Sequence, residues 1–164
     1  GTVPTVAREL LRTINDARKD PAYSSIFHAP RSILNQKITG SRRFAAQSYC
    51  LSRIKGVCKA YGTTVNDVVM AMCATALRSY LMNQDALPEK PLIAMVPVSL
   101  RKDDSSGGNQ VGVILASLHT DVTSPVTRLM QIHEDVKAAK DRYADMSAEE
   151  IINYTALTLS LIHI

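Results

Sequence analysis

The chain has 164 residues, of which 46% are apolar and 21% charged, a balance that fits a globular fold with a real core and excludes a disordered or collagen-like chain. Its net charge of +4 is spread along the sequence, and the densest basic cluster is only Ser41-Arg42-Arg43. With no Trp and few other aromatics to stack on bases, no nucleic-acid partner is expected.

In chain order, "TVARELLRTINDARK" places Val6, Leu10 and Ile14 at helical spacing, with Leu11 and Ala17 alongside, and predicts an amphipathic helix over 5–19 that stops near Asp20-Pro21. Residues 20–41 have no clean period and read as an extended connection, in which Ile26, Phe27, Ile33, Leu34 and Ile38 need burial. From Arg42, "RRFAAQSYCL" alternates well enough to predict a strand. Ser52 is then expected to cap a short helix, "RIKGVCKAYG", with Ile54, Val57 and Cys58 on one face and Gly62 as its stop. Thr63 or Thr64 caps a longer helix, "VNDVVMAMCATALRSYLMNQ". That helix is apolar nearly all round as far as Arg78, which predicts a central, buried position.

"PLIAMVPVSL" reads as a buried strand with Pro97 at an edge or bulge, and "VGVILASLHTDV" from Val111 as a second strand. Ser124-Pro125 opens a helix whose apolar face carries Leu129, Ile132, Val136 and Tyr143. Ser147, followed by Glu149 and Glu150, caps a final helix, "AEEIINYTALTL". This mixed α/β order lacks the regular βαβ alternation of a dinucleotide-binding domain. The missing initiator Met and the apolar ending "TALTLSLIHI" lead us to expect a piece of a longer protein.

The cysteines, Cys50, Cys58 and Cys73, form no CxxC pair and sit in apolar segments, which predicts buried free thiols in a reducing compartment. The longest nearly apolar run, "VVMAMCATAL", falls short of the roughly 18 residues a membrane span needs. No secretory signal opens the sequence, so a cytoplasmic location is expected.

Chemistry-bearing residues concentrate in two places. The loop "VPVSLRKDDSSGGNQVG" sets Ser99, Arg101, Asn109 and Gly112 between two strand-like runs. It lacks the Lys of a phosphate-binding loop, and Gly107, Gly108 and Gly112 have the wrong spacing for a dinucleotide turn. Asp103 and Asp104 are adjacent acids in a Ser/Gly loop and read as solvated, so no metal is expected. In "TTVNDVV", Asn66 and Asp67 occupy the first turn of the long helix, where an acid is favoured by the helix dipole. Asn66 can donate into a site and Asp67 can orient a neighbour; simple helix N-terminal chemistry accounts for the pair equally well. Of the histidines, His28, His119, His133 and His163, none has a nucleophile or second His beside it, and "HEDVK" at His133 is not HExxH.

Taken together, these segments resemble the bacterial wax ester synthase/acyl-CoA:diacylglycerol acyltransferases. "PRSILNQKITGSRR" is similar to their P-x-x-x-LN-x-x-I-x-G-x-RR segment, which marks Pro30, Asn35, Gly40, Arg42 and Arg43 as structural. "TTVNDVVMAMCATALRSYL" resembles their T-x-NDV motif, "MVPVSLRKDDSSGGNQVG" their PVS-x-R … GN-x-x-G loop, and "EEIINYTALTL" a stretch further on. The resemblance implies a partial CoA-dependent acyltransferase fold like that of chloramphenicol acetyltransferase. It implies residues 1–84 as the distal part of the acyltransferase region, with the inter-half connection at about 20–41, and 85–164 as the start of the C-terminal region. The implied activity moves a fatty acyl group from acyl-CoA, a co-substrate with no further cofactor, to diacylglycerol or a long-chain alcohol. The family's HHxxxDG base motif does not occur in these residues, so the chain alone is expected to be inactive without a missing N-terminal half. The resemblance places Asn66 and Asp67 as active-site support and Ser99, Arg101, Asn109 and Gly112 along the loop or the acyl-CoA channel. It also implies peripheral contact with the inner membrane or lipid droplets. The alternative is a non-catalytic module of the same fold that binds acyl-CoA or a lipid surface.

Overall fold

A computed structural model of the chain describes residues 29–99, 111–144, 146–147, 150–153 and 155–156. The expected helix at 5–19 and the loop residues Arg101 and Asn109 lie outside this set. The described residues form three long helices and one two-stranded antiparallel sheet, followed by helical residues at 150–153 and 155–156.

Residues 29–50 contain a turn at Ser32 to Asn35 and no strand. The Asn35 side chain holds that turn, its Oδ1 accepting from the Ser32 amide at 2.9 Å and the Ser32 hydroxyl at 3.3 Å. The strand expected from Arg42 does not form. Alternation supplies two faces, but a strand also needs a neighbour for its amides and carbonyls, and no described segment pairs with this one. The burial expected of Leu34 and Ile38 fails as well: Leu34 is 51%, Ile38 82% and Phe44 92% exposed.

Helix α1 spans Leu51–Tyr61. Its N-cap is Cys50, not Ser52, because Ser52 is already helical and only Cys50 has the extended backbone of a cap. The Cys50 sulfur meets the Ser52 hydroxyl at 3.0 Å. That hydrogen bond, with those from the Arg53 and Ser52 backbone, lowers the thiol pKa. Cys50 and Cys73 are exposed and Cys58 is half-buried, so the thiols are free but not sealed in a core as expected. Gly62 ends α1 at φ 67°, a left-handed conformation in which any Cβ would be strained.

Helix α2, Val65–Asn83, is capped by Thr64. Its buried apolar residues are Val68, Met70, Ala74 and Leu81, while Val65, Val69, Cys73, Tyr80 and Met82 are exposed. The all-round burial expected from its composition is therefore incorrect. An apolar side is buried only where a neighbour covers it, and composition cannot say which side that is. Past Asn83, the Ala86 amide returns to the Leu81 carbonyl at 2.9 Å across Asp85, whose φ of 48° closes the helix in place of a glycine.

Strands β1, Ile93–Ser99, and β2, Val111–Ser117, pair antiparallel in unbroken register from Ile93↔Ser117 to Ser99↔Val111. Pro97 faces Val113 without a bulge and so occupies a strand with one described neighbour, an edge position that tolerates its missing N–H. β1 is less buried than its apolar run suggests, Val96 being its one sealed residue, whereas Ile114, Leu115 and Ala116 of β2 are all buried. Helix α3 runs Pro125–Ala144, with Ser124 Oγ accepting from the Thr127 amide at 3.3 Å. Leu129, Ile132, Val136, Ala139 and Tyr143 recur at helical spacing and all are buried. Leu129, Ile132 and Val136 each contribute about 1.5–3 kcal/mol by leaving water. Ser147 and Glu150 then close a capping box, at 2.8 and 3.3 Å.

The chain divides into two compact units interleaved along the sequence. One gathers residues 30–92 and 118–133, with α1, α2 and the first half of α3. The other holds the described parts of 93–117 and 134–164, with the sheet and the rest of α3, where the Tyr143 hydroxyl donates to the Val113 carbonyl.

Candidate functional site

Within the first unit, the start of α2 meets the middle of α3. Thr64 and Asp67 form a reciprocal capping box: the Thr64 amide donates to Asp67 Oδ2 at 2.8 Å, and the Asp67 amide donates to Thr64 Oγ1 at 3.3 Å. The same Oδ2 lies 2.7 Å from Nδ1 of His133 on α3. The Asp67 side chain is 1% exposed and that of His133 24%, so the carboxylate is sealed and the imidazole reaches the surface. Burial acts to raise the Asp67 pKa. The hydrogen bonds from His133 and Thr64 outweigh it and hold the carboxyl below its ordinary value. Oδ1 of Asp67 and Oγ1 of Thr63 are buried without a hydrogen-bond partner in the same turn of chain.

Sequence reasoning singled out Asp67 as able to orient a neighbour but did not identify His133. The two are 66 positions apart, and no local motif links them. Asn66 is exposed on the first turn of α2, with Nδ2 3.4 Å from Met70 Sδ, a weak contact along its own helix. Ser99 and Gly112 fall at the adjacent ends of β1 and β2, Gly112 opposite Val98. Pro30, Asn35, Gly40, Arg42 and Arg43 lie in the irregular segment before α1, where Arg42 Nη1 donates to the carbonyls of Thr39 and Ser41.

A second polar cluster in this unit fixes residues 118–124, which enter α3. Arg128 is 2% exposed; its Nε and Nη2 donate to the Val122 carbonyl at 3.2 and 2.7 Å, Nη2 to that of Thr123 at 3.2 Å, and Nη1 to Thr75 Oγ1 at 2.6 Å. Arg78 donates to the carbonyls of Thr120 and Asp121. Thr120 is itself buried and accepts from the Leu92 amide at 3.0 Å. His119, at φ 45°, turns the chain into this segment. Among the described residues no three His, Cys, Asp or Glu side chains gather as a metal set. No helix among them is long and apolar enough to cross a membrane.

Against known proteins, residues 1–69 match the model of the wax ester synthase/diacylglycerol acyltransferase catalytic domain, and residues 107–162 that of the WS/DGAT C-terminal domain. The chain is 48% identical over 155 residues to the O-acyltransferase WSD of Acinetobacter baylyi, covering 94% of this chain and 34% of that relative. A solved structure, the wax ester synthase/diacylglycerol acyltransferase from Marinobacter aquaeolei VT8, superposes with a TM-score of 0.71 at 65% identity, over 97% of this chain and 33% of that one. The chain thus spans about a third of the length of the relatives it matches.

Proposed function

Since this chain belongs to the wax ester synthase/diacylglycerol acyltransferase family, we propose that it forms a middle-to-C-terminal part, about a third of the length, of an O-acyltransferase that moves a fatty acyl group from acyl-CoA to diacylglycerol or a long-chain alcohol. The observation that carries this reading is the match of two family models in succession, catalytic then C-terminal, on one chain. In this reading acyl-CoA is a co-substrate and no further cofactor is needed. The protein works in the cytoplasm or at the inner face of the membrane and lipid droplets. The proton-accepting HHxxxDG motif, absent from these residues, is supplied by the rest of the protein, and residues 1–84 and 85–164 belong to its acyltransferase and C-terminal regions. The chain contributes the start of α2, where a buried carboxylate and an imidazole are held in fixed geometry.

The exposed Leu34, Ile38, Phe44 and Tyr49 favour a second reading, a non-catalytic module that binds acyl-CoA or a lipid surface. One assay separates the two. The full-length protein is mixed with palmitoyl-CoA and either hexadecanol or dioleoylglycerol, and thiol release is followed. Release that depends on the acceptor supports acyl transfer. Palmitoyl-CoA or vesicle binding without acceptor-dependent release refutes it in favour of the binding module.

A further inference from the structure

Residues 42–50 have the composition of a strand and none of its bonds. Phe44, Ala46, Ser48 and Cys50 alternate with Ala45, Gln47, Tyr49 and Leu51, so a half-apolar face runs along each side. The segment contains no Pro or Gly, and every residue keeps an amide for a ladder. Over residues 43–49 no backbone amide or carbonyl has a partner among the described residues. All of 42–50 is exposed, Phe44 at 92% and Tyr49 at 60%. One end is fixed. Cys50 is extended, at φ -69° and ψ 113°, and caps α1, its carbonyl accepting from the Arg53 and Ile54 amides at 3.1 and 3.3 Å. An extended run anchored to a helix, with bare backbone and exposed aromatics, is an edge waiting for a strand.

We propose that residues 42–50 form a β-strand by pairing, backbone to backbone, with a strand of the same polypeptide that lies outside these 164 residues. The catalytic-domain match covers residues 1–69 and so includes the segment. The chain spans about a third of the length of its relatives, which leaves most of the protein outside it. A strand on the same polypeptide reaches the segment in an intramolecular step, without the cost of assembling a dimer. A lipid surface suits the segment badly. Bare amides and carbonyls are costly to place in hydrocarbon, and each face is broken by a polar residue, Ser48 on one and Gln47 on the other. Pairing satisfies the bare groups and sets cross-strand side chains against Phe44 and Tyr49. The proposal rests on the chain being part of a longer protein of this family, and not on acyl transfer.

Two measurements on the full-length protein test this. Amide hydrogen exchange, without lipid and at a concentration where light scattering shows a monomer, reads the pairing. Successive amides of a strand point to opposite edges, so at least alternate amides over residues 44–49 should exchange about 100-fold or more slower than in an unstructured peptide. In at least one of Ala45→Pro and Ala46→Pro, which remove amides from opposite edges, exchange of the remaining amides should accelerate by about 10- to 100-fold. If either variant fails to fold, wild-type exchange decides. Photo-crosslinking reads the partner: with p-benzoylphenylalanine in place of Phe44, the cross-linked peptide mapped by mass spectrometry should come from outside these 164 residues. Unprotected amides throughout 44–49 in the wild type overturn the proposal, as does a cross-link confined to the 164 residues. Protection only on self-association assigns the segment to a second copy, and protection only with phosphatidylcholine–dioleoylglycerol vesicles assigns it to a lipid surface; both overturn it. A wild type that forms no ester defeats the acyl-transfer reading alone and leaves the exchange and cross-link results standing.

Discussion

Replacing Arg128 by Met isolates what its buried guanidinium does. Arg128 is 2% exposed and is held by two carbonyls and one hydroxyl, none of them a carboxylate. Burial and the charge of Arg78 both disfavour the cation, and Asp121 only partly offsets them. Met keeps most of the apolar stem and removes the desolvation cost, but it removes the charged donor of the half-buried Val122 and the exposed Thr123 carbonyls. A hydrogen bond to a charged group contributes about 1.5–3 kcal/mol net. Thr75 still donates to the Ala71 carbonyl at 2.7 Å and loses little. Two lost charge-assisted bonds, less the relief of an unpaired buried cation, come to a net loss of about 2–3 kcal/mol. For a chain of this size that lowers Tm by about 5–10 °C. Urea unfolding reads the total. Amide exchange over 119–124 reads the place, and should accelerate by roughly 30- to 150-fold, the same energy expressed as an opening constant. An Arg128→Met variant within about 0.5 kcal/mol of wild type, with unchanged exchange in this loop, would show that the guanidinium does not hold it.

Thr64→Ala breaks the capping box and should cost about 1 kcal/mol in urea unfolding, while Thr64→Ser, which keeps the hydroxyl, should cost far less. Tyr143→Phe removes the bond to the Val113 carbonyl and should cost about 1 kcal/mol, with faster amide exchange in β2; no change in either would mean water replaces the hydroxyl freely. Asp67 has a folded pKa below its unfolded value, so its stabilisation is fully present above about pH 3.9 and is lost as the pH falls through the lower folded value. The stability gap between wild type and Asp67→Asn should accordingly be widest near neutrality and close in acid; a gap that widens in acid contradicts the assigned direction.

Where local rules suffice, the fold was legible. Thr63 or Thr64 before an apolar run announces a helix cap, which Thr64 supplies, and Gly62 announces a helix stop. The stripe from Leu129 to Tyr143 is a helical period with nothing competing against it, and its residues are buried as expected. Legibility ended where a partner decides the outcome. The segment from Arg42 alternates like a strand, yet no described strand pairs with it. Helix α2 is apolar on both sides, so its sequence does not reveal that Val69 and Tyr80 remain exposed. At the candidate site, the carboxylate was legible from its place in the first turn of a helix. His133 was not, because its contact with that carboxylate spans 66 positions and no local motif announces it.

The most direct test of the account is the product itself. Full-length protein, wild type and Asp67→Asn, is incubated with carbon-13 palmitoyl-CoA and hexadecanol, and the lipid extract is weighed by mass spectrometry. The account predicts labelled hexadecyl palmitate from the wild type and several-fold less from folded Asp67→Asn, which loses the carboxylate that holds His133 at the start of α2. No labelled ester from the wild type would contradict the acyltransferase assignment, and equal yields from both proteins would contradict the contribution given to the Asp67–His133 pair.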